Sequence, residues 1–127
     1  KIVVVDANPA AALLVGALIA YLLSPGRRVI AVGTTATRAI ESAASSDGTV
    51  QPRSGWTELA ISPDRPVRVV NGLVTGWHNP EASHLLLVES VAGPELTQRA
   101  YDAAVAERYL WHEFGDASLL LPSRPRV

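Results

Sequence analysis

A short apolar run at Arg28–Val32 leads directly into Gly33-Thr34-Thr35 and then into a sequence with helical spacing. Continuous apolar character in so short a run is typical of a strand that is buried on both faces of a sheet. Thr34 or Thr35 can cap the following helix, because a hydroxyl accepts a hydrogen bond from a backbone N–H of the first turn. The apolar stripe of that helix is expected at Ala39, Ile40 and Ala43. A strand, a turn and a helix in this order predict an α/β fold.

Strands and helices continue to alternate beyond an expected exposed loop at Ser45–Ser54. Two strands are predicted over Trp56–Ile61 and Val67–Val74, and the short Pro-containing segment between them suggests that they form a hairpin. The remaining elements are helices over Glu81–Val91 and Pro94–Arg108 and a last strand over Ala117–Leu121. The predicted fold class is α/β, with a mixed sheet and flanking helices.

The composition is that of a folded domain with a nearly neutral charge. Of the 127 residues 48% are hydrophobic, and 12 acidic residues against 11 basic ones give a net charge of −1. This balance supplies no strong cationic field that would capture a polyanion by charge alone. A local patch could form from Arg27, Arg28, Arg53, Arg65 and Arg68, although exposed arginines are usually only solvated. The absence of cysteine excludes disulfides, thiolate metal ligands and a cysteine nucleophile.

Residues 1–26 form an apolar segment that is distinct from the alternating pattern of residues 27–127. Within it, Ala7–Leu23 carries no charge and is interpreted as a buried helix, with a membrane or signal segment as the alternative. The opening of the chain also resembles that of response-regulator receiver domains, but Ala7 follows Asp6 where those domains have an acidic pair. The chain contains no Met and begins with Lys1, so we expect a processed chain or a piece of a longer one.

The turn Gly33-Thr34-Thr35 is a candidate anion site. Backbone N–H groups at a helix N-terminus favour phosphate or carboxylate, and the two hydroxyls can add donors. Arg38 follows Thr34 by four residues and could reach back over the same helix end. A purely structural turn and a solvated arginine are the alternatives.

Histidine and acidic side chains near strand ends are the candidates for acid–base chemistry. His78 follows a predicted strand, where loops often carry functional residues, and its side chain titrates near neutrality. His112, Glu113 and Asp116 lie close together just before the last strand, where Asp116 could point into a cleft or bond its own backbone. His84 is interpreted as a packing residue of the second helix. The three histidines lack the spacing of paired ligands, so no metal site is expected.

Three blocks, taken together, resemble one family. RVIAVGTTATRAIES, the segment from Gly55 to Gly93, and RYLWHEFGDASLLL are similar in order and spacing to the C-terminal part of the S-adenosylmethionine:tRNA ribosyltransferase-isomerases of queuosine biosynthesis. The resemblance covers Arg28–Leu121. Two departures stand out: Gly76-Trp77-His78 replaces the family's Asn-Phe-His, and Trp111-His112-Glu113 replaces its Phe-Phe-Ser. The family enzymes are roughly three times as long, so the resemblance implies one part of a larger two-domain fold.

The resemblance implies transfer and isomerisation of the ribosyl unit of S-adenosylmethionine onto 7-aminomethyl-7-deazaguanine in tRNA, which gives epoxyqueuosine. S-Adenosylmethionine would be a co-substrate, with no further cofactor, and the second partner would be a tRNA that carries a 7-deazaguanine base. A cytoplasmic protein that makes no membrane contact is implied, and this chain alone would be inactive. The alternative is a non-catalytic nucleoside-binding or assembly module that keeps the same fold.

Carried onto this chain, the reaction suggests two groups of residues. Gly33, Thr34, Thr35 and Arg38 would anchor the cofactor or substrate. His78 would act as the base or orienting residue, and Asp116 as an electrostatic or hydrogen-bonding partner. Glu113 and His112 are further members of this group.

Overall fold

The computed structural model describes residues 2–4 and 28–122, with the backbone alone for residues 2–4. The strands are β1 (Ile2–Val4), β2 (Ile30–Val32), β3 (Gly55–Thr57), β4 (Gly72–Gly76) and β5 (Ala117–Leu120). The helices are α1 (Thr34–Ala43), α2 (His84–Ala92) and α3 (Pro94–Ala106), with a 3₁₀ turn at His112–Phe114. The helix expected over Ala7–Leu23 lies outside the described residues. Within the described part of the chain, no helix is both long and apolar enough to cross a membrane.

The main sheet has three strands in the order β2-β4-β5. β2 runs parallel to β4, with Val32 opposite Val74, and β4 runs antiparallel to β5, with Val74 opposite Leu119. A separate antiparallel pair joins β1 to β3. Parallel and antiparallel pairs in one sheet confirm the predicted α/β class with mixed pairing.

The predicted hairpin between Trp56–Ile61 and Val67–Val74 is wrong. β3 pairs with β1, and the segment before β4 forms no ladder because its N–H groups bond to side chains instead. The carboxylate of Glu41 accepts the N–H groups of Arg68, Val69 and Val70 at 2.8, 2.9 and 2.9 Å. Residues of high strand propensity are therefore held as an irregular segment by one buried acid from α1.

The core lies between one face of the main sheet and the helices. Ala31, Leu73 and Leu120 from the sheet pack with Val88 and Val91 from α2, and all five are buried. The other face of β2 is open, since Ile30 and Val32 are 44% and 72% exposed, so the expected burial of both faces is wrong. The strand alternates because helices cover only one side of it among the described residues.

Helix α1 turns a polar side inward. Its buried residues are Thr37, Glu41 and Ser42, not the alanines of the predicted stripe. Ile40 does contact the core, but only as a partly buried residue. The buried polar groups are bonded: Glu41 holds the segment before β4, and Ser42 Oγ lies 2.7 Å from the hydroxyl oxygen of Thr57. Hydrogen bonding therefore offsets the cost of burying these groups.

Candidate functional site

The candidate site lies where two parallel strands end side by side. Gly33 follows β2 directly, and Trp77 and His78 follow β4. The two ends are joined, because the N–H of Gly33 donates to the carbonyl of Val74 at 2.8 Å. The carboxyl ends of parallel strands are where ligands bind in open α/β sheets. The predicted anchoring residues, which start at Gly33, and the predicted base, His78, therefore lie at the same edge of the sheet.

Gly33 shapes the start of α1. Its φ of 87° and ψ of 152° lie in a region that is essentially restricted to glycine. Gly33 is itself the N-cap, and no side chain caps the helix. Its carbonyl accepts both the N–H and the hydroxyl of Thr37, at 3.2 and 3.1 Å.

The expectation that Thr34 or Thr35 caps the helix is therefore wrong. Both residues lie inside the first turn, because the helix begins at Thr34 itself. A cap at Thr34 would require the helix to begin one residue later. The backbone N–H groups of both threonines belong to the end of the helix that carries partial positive charge. That end remains suited to a carboxylate or phosphate, with the backbone rather than the hydroxyls as the main donor.

A cavity of about 390 Å³ opens beside this helix end. Thr34 and Arg38 from α1 line one side of it, and His84 and Leu87 from α2 line another. Arg38 donates from Nε to the carbonyl of Leu59 at 3.1 Å, which leaves its terminal nitrogens available for other acceptors. The structure thus brings Thr34 and Arg38 together, as predicted from their spacing. Thr35 is exposed and does not line this cavity.

Three imidazoles form a stack next to the cavity. The ring centroid of His78 lies 3.6 Å from that of His84 and 4.0 Å from that of His112. The plane of His78 is tilted by 35° to His84 and by 21° to His112. His84 Nε2 lies 3.2 Å from the hydroxyl oxygen of Thr75, which fixes the ring of His84 against the end of β4. His78 is therefore held between two neighbours.

The stack favours neutral rings. Burial lowers the pKa of His78, with a smaller lowering from charge on His112 and an opposing increase from Glu113. Burial, followed by charge on His78 and His112, lowers the pKa of His84 to about 4. Like charges in contact disfavour protonation of each other, and desolvation acts in the same direction. At neutral pH, His78 and His84 are thus free of charge, and His78 is available to accept a proton.

Aromatic side chains support the loop that carries His78. The ring of Trp77 is buried and meets Tyr101 edge to face, with centroids 5.0 Å apart. The N–H of His78 donates to the hydroxyl oxygen of Tyr101 at 3.4 Å. Burial raises the pKa of Tyr101, so this hydroxyl stays protonated at neutral pH. Helix α3 thus positions both residues that follow β4.

His112 and Glu113 reach the stack from the 3₁₀ turn. His112 Nδ1 lies 3.2 Å from the carboxylate of Glu113, and both side chains are largely exposed. The N–H of His112 donates to the carbonyl of Trp77 at 2.9 Å, which ties the turn to the end of β4. Glu113 is therefore placed near His78 through His112.

Asp116 has a different position. Its Oδ2 accepts the N–H of Leu110 at 2.6 Å, so the carboxylate closes the loop between α3 and β5. The sequence left two alternatives for Asp116: a carboxylate that points into a cleft, or one that bonds nearby backbone. The structure shows the second. The structure does not bring Asp116 into direct contact with the imidazole stack.

Sequence reasoning assigned His84 to packing alone and did not single out Thr75. Both become site residues because α2 begins beside the end of β4, a contact between elements that local patterns do not reveal. A histidine at the start of a helix, six residues after another histidine in a strand-end loop, was the one available signal. Among residues 28–122, no three histidine or acidic side chains are arranged as a set that could hold a metal ion.

The fold and site define an α/β protein that places the N-terminus of a helix and a stack of imidazoles at the carboxyl edge of a mixed sheet. Residues 15–120 match the family described as queuosine biosynthesis proteins. The chain belongs to this family.

Named relatives agree with this assignment. The S-adenosylmethionine:tRNA ribosyltransferase-isomerase of Symbiobacterium thermophilum is 48% identical over 96 residues, which are 76% of this chain and 28% of that protein. The protein of the same name from Pelotomaculum thermopropionicum is 48% identical over 103 residues, 81% of this chain and 30% of that protein. The crystal structure of S-adenosylmethionine tRNA ribosyltransferase from Thermotoga maritima superimposes with a TM-score of 0.68 at 36% identity. That match covers 81% of this chain and 36% of the Thermotoga chain. This chain therefore spans less than a third of the length of the two named relatives.

Proposed function

We propose that this chain supplies part of the active site of an S-adenosylmethionine:tRNA ribosyltransferase-isomerase. Family membership and the names of its relatives support the reaction. The observation that carries the proposal is the position of His78, an uncharged imidazole held at the same sheet edge as the open N-terminus of α1. A base and an anion anchor are the two groups that S-adenosylmethionine chemistry needs from this part of the protein.

The anchor would hold the methionine end of S-adenosylmethionine. Its carboxylate fits the backbone N–H groups of Thr34 and Thr35, with the terminal nitrogens of Arg38 as charged donors. Because the Arg38 guanidinium is already oriented by its bond to Leu59, little freedom is lost when it binds an anion. In this arrangement the sulfonium and ribose would extend toward the histidines.

His78 would start the reaction by taking a proton from C5′, which the adjacent sulfonium makes acidic. The aminomethyl nitrogen of the 7-deazaguanine base would then form a bond to the ribosyl carbon. As the attacking nitrogen loses a proton, the glycosidic bond would break and adenine would leave carrying a proton. The C5′–S bond would break with its electron pair on sulfur, which releases neutral methionine sulfur and leaves the epoxycyclopentane of epoxyqueuosine. Glu113 would stabilise the positive charge that His78 acquires, consistent with its effect of raising the pKa of His78. Asp116 would act indirectly by holding the loop that carries His112 and Glu113.

The second candidate function is a non-catalytic nucleoside-binding or assembly module. The observation that favours it is coverage, since the chain corresponds to only 28% and 30% of the two named relatives. A module would bind S-adenosylmethionine through the same anchor but release no adenine. For the enzyme, the tRNA substrate would place the protein in the cytoplasm.

The test uses the protein translated from the complete reading frame that contains this sequence. It is incubated with S-adenosylmethionine and tRNA bearing 7-aminomethyl-7-deazaguanine, and released adenine is measured by chromatography. For His78→Gln we expect adenine release to fall by about 10²- to 10⁴-fold, the usual contribution of a general base. Unchanged release would remove His78 from the mechanism. S-Adenosylmethionine binding without adenine from the unaltered protein would favour the module.

Anchoring is tested separately by calorimetry with S-adenosylmethionine. Arg38→Met should weaken binding by about 10- to 100-fold, since it removes a charged hydrogen bond to the carboxylate. Arg99→Met is the matched control, because Arg99 is an exposed arginine on α3 away from the cavity. Equal affinities of the two variants would contradict the anchor.

A further inference from the structure

A second cavity, of about 490 Å³, lies on the other side of the segment 58–61 from the candidate site. Glu58, Leu59 and Ile61 line both cavities, so the two are neighbours that share a wall. We call the second one the arginine cavity, because three arginines line it: Arg53, Arg65 and Arg68. None of the proposed catalytic or anchoring residues lines it.

The three arginines carry charge that the described residues do not neutralise. Within residues 28–122, no carboxylate lies within ion-pairing distance of Arg53, Arg65 or Arg68. Two acids, Glu41 and Glu58, also line this cavity. The carboxylate of Glu41 is occupied by three backbone N–H groups, and Glu58 forms no ion pair with the arginines. Unpaired guanidinium groups around one concave surface favour an anionic ligand with several acceptor oxygens.

Backbone contacts hold these arginines in place. Arg53 donates from Nη1 to the carbonyl of Ser42 at 2.8 Å, which fixes one edge of its guanidinium. The turn between Ser62 and Arg65 is closed in both directions, with N···O distances of 3.2 and 2.9 Å. The N–H of Arg68 is one of those bound by Glu41. The fold therefore sets the guanidinium of Arg53 and the backbone positions of Arg65 and Arg68 at the cavity.

Trp56 adds an aromatic surface to the arginine cavity. Its side chain lines the cavity and is 68% exposed, so the indole ring is accessible to a ligand. Exposed aromatic rings next to arginines are the combination that binds single-stranded nucleic acid, because bases stack on the ring while arginines contact phosphates. Neither a free phosphate nor a small carboxylate would use the ring.

We propose that the arginine cavity binds the phosphodiester backbone of RNA and that Trp56 stacks against an unpaired base of that RNA. The inference rests on the proposed function for the identity of the RNA as the tRNA substrate. The shared wall at 58–61 places such an RNA beside the cavity that holds Arg38 and His84. An RNA strand bound in the arginine cavity would lie close to the proposed site of reaction.

The test measures binding of a fluorescently labelled anticodon stem–loop RNA by anisotropy, without S-adenosylmethionine. If three arginines contact phosphates in a single-stranded loop, the plot of log affinity against log salt should have a slope of about −2. Arg65→Gln/Arg68→Gln should bring that slope to about −0.7. Arg99→Gln is the control and should keep the original slope. Equal slopes for the double variant and the control would overturn the inference.

The substitution Trp56→Leu tests whether an RNA base stacks on the ring of Trp56. Loss of one base–aromatic contact should weaken RNA binding by about 5- to 150-fold while the salt slope stays unchanged. For a readout that does not depend on any variant folding, the unaltered chain is crosslinked to a stem–loop that contains 4-thiouridine. We expect the crosslinked peptide to contain Trp56, and crosslinks confined to other segments would contradict stacking.

Three further outcomes distinguish this inference from a small-anion site and from the proposed enzyme function. Saturation by inorganic phosphate alone, with the same dependence on Arg65 and Arg68 but no RNA binding, would replace the RNA with a small anion. Arginine-dependent RNA binding by a protein that releases no adenine would keep this inference and reject the proposed enzyme. Normal adenine release, together with RNA binding that ignores the arginines, would do the reverse.

Discussion

The imidazole of His78 stacks on that of His112, with ring centroids 4.0 Å apart and planes 21° from parallel. The two residues are far apart in the chain, and they meet because the 3₁₀ turn is tied to the end of β4 through the carbonyl of Trp77. The ring of His84 also contacts His78, with centroids 3.6 Å apart. Charge on one ring opposes protonation of its neighbour, as the lowered pKa values of His78 and His84 reflect.

Acidification should destabilise the protein through this stack. The pKa of His84 is about 4 in the folded chain, below its usual 6.5, mainly because of burial. Between these two values the unfolded chain binds more protons, so this contribution to stability is complete above about pH 6.5 and is lost as pH falls toward 4. Charge on His78 or His112 would also oppose protonation of His84, whereas Glu113 raises the pKa of His78.

The measurement is the melting temperature at pH 7 and pH 5 for the unaltered chain and for His84→Gln. His84 is only partly buried, so we discount its contribution to about 1 kcal/mol, or roughly 3–5 °C for a domain of this size. The unaltered chain should lose that much more than the variant on acidification. Equal losses would show that His84 is not the group that responds.

Glu41→Gln should be among the most destabilising single changes in the described chain. The carboxylate is 6% exposed and accepts three backbone N–H groups, and an amide would replace one acceptor oxygen with a donor facing them. We expect a loss of about 2–4 kcal/mol in the free energy of unfolding, measured in urea. Glu58→Gln is the control, since Glu58 is exposed in the same region, and should change stability by less than about 0.5 kcal/mol.

Gly76→Ala should separate His112 from His78. A Cβ at position 76 would collide with the Cβ of His112 and lie 3.1 Å from its Cα, so the turn must shift. We expect a cost of about 1–3 kcal/mol, as for other overpacked sites. Nuclear magnetic resonance should show loss of ring-current shifts between the two imidazoles. Unchanged shifts would mean that the turn yields without unstacking.

Asp116→Ala should loosen the loop after α3. The change removes the acceptor for the N–H of Leu110, at a cost of about 1 kcal/mol. Amide hydrogen exchange at Leu110 should accelerate, whereas exchange in β4 should not. Asp102→Ala provides the control because Asp102 is exposed and bonds only the side chain of Gln98. Similar exchange at Leu110 in both variants would contradict a role for Asp116 in closing this loop.

Much of the element order was predictable from local patterns. The strand at β2, the turn at Gly33 and the helices α1, α2 and α3 follow from apolar spacing and from glycine and proline punctuation, which act within a few residues. The hairpin failed for a different reason: strand propensity in Val67–Val70 is genuine, but a buried carboxylate from α1 accepts the N–H groups that a ladder would need. No local pattern shows which distant side chain will bind a segment.

The candidate site also combines features that were predictable from the sequence with features that arise only from packing. The sequence by itself determined the glycine turn with its open helix end, the four-residue spacing of Thr34 and Arg38, and the strand-end position of His78, because each depends on neighbours along the chain. Only the tertiary structure decided that His84 and His112 enclose His78 and that three arginines surround one cavity with Trp56. Those groupings arise where separate elements pack, and both the pKa values of the imidazoles and the charge of the cavity depend on distances that packing alone sets.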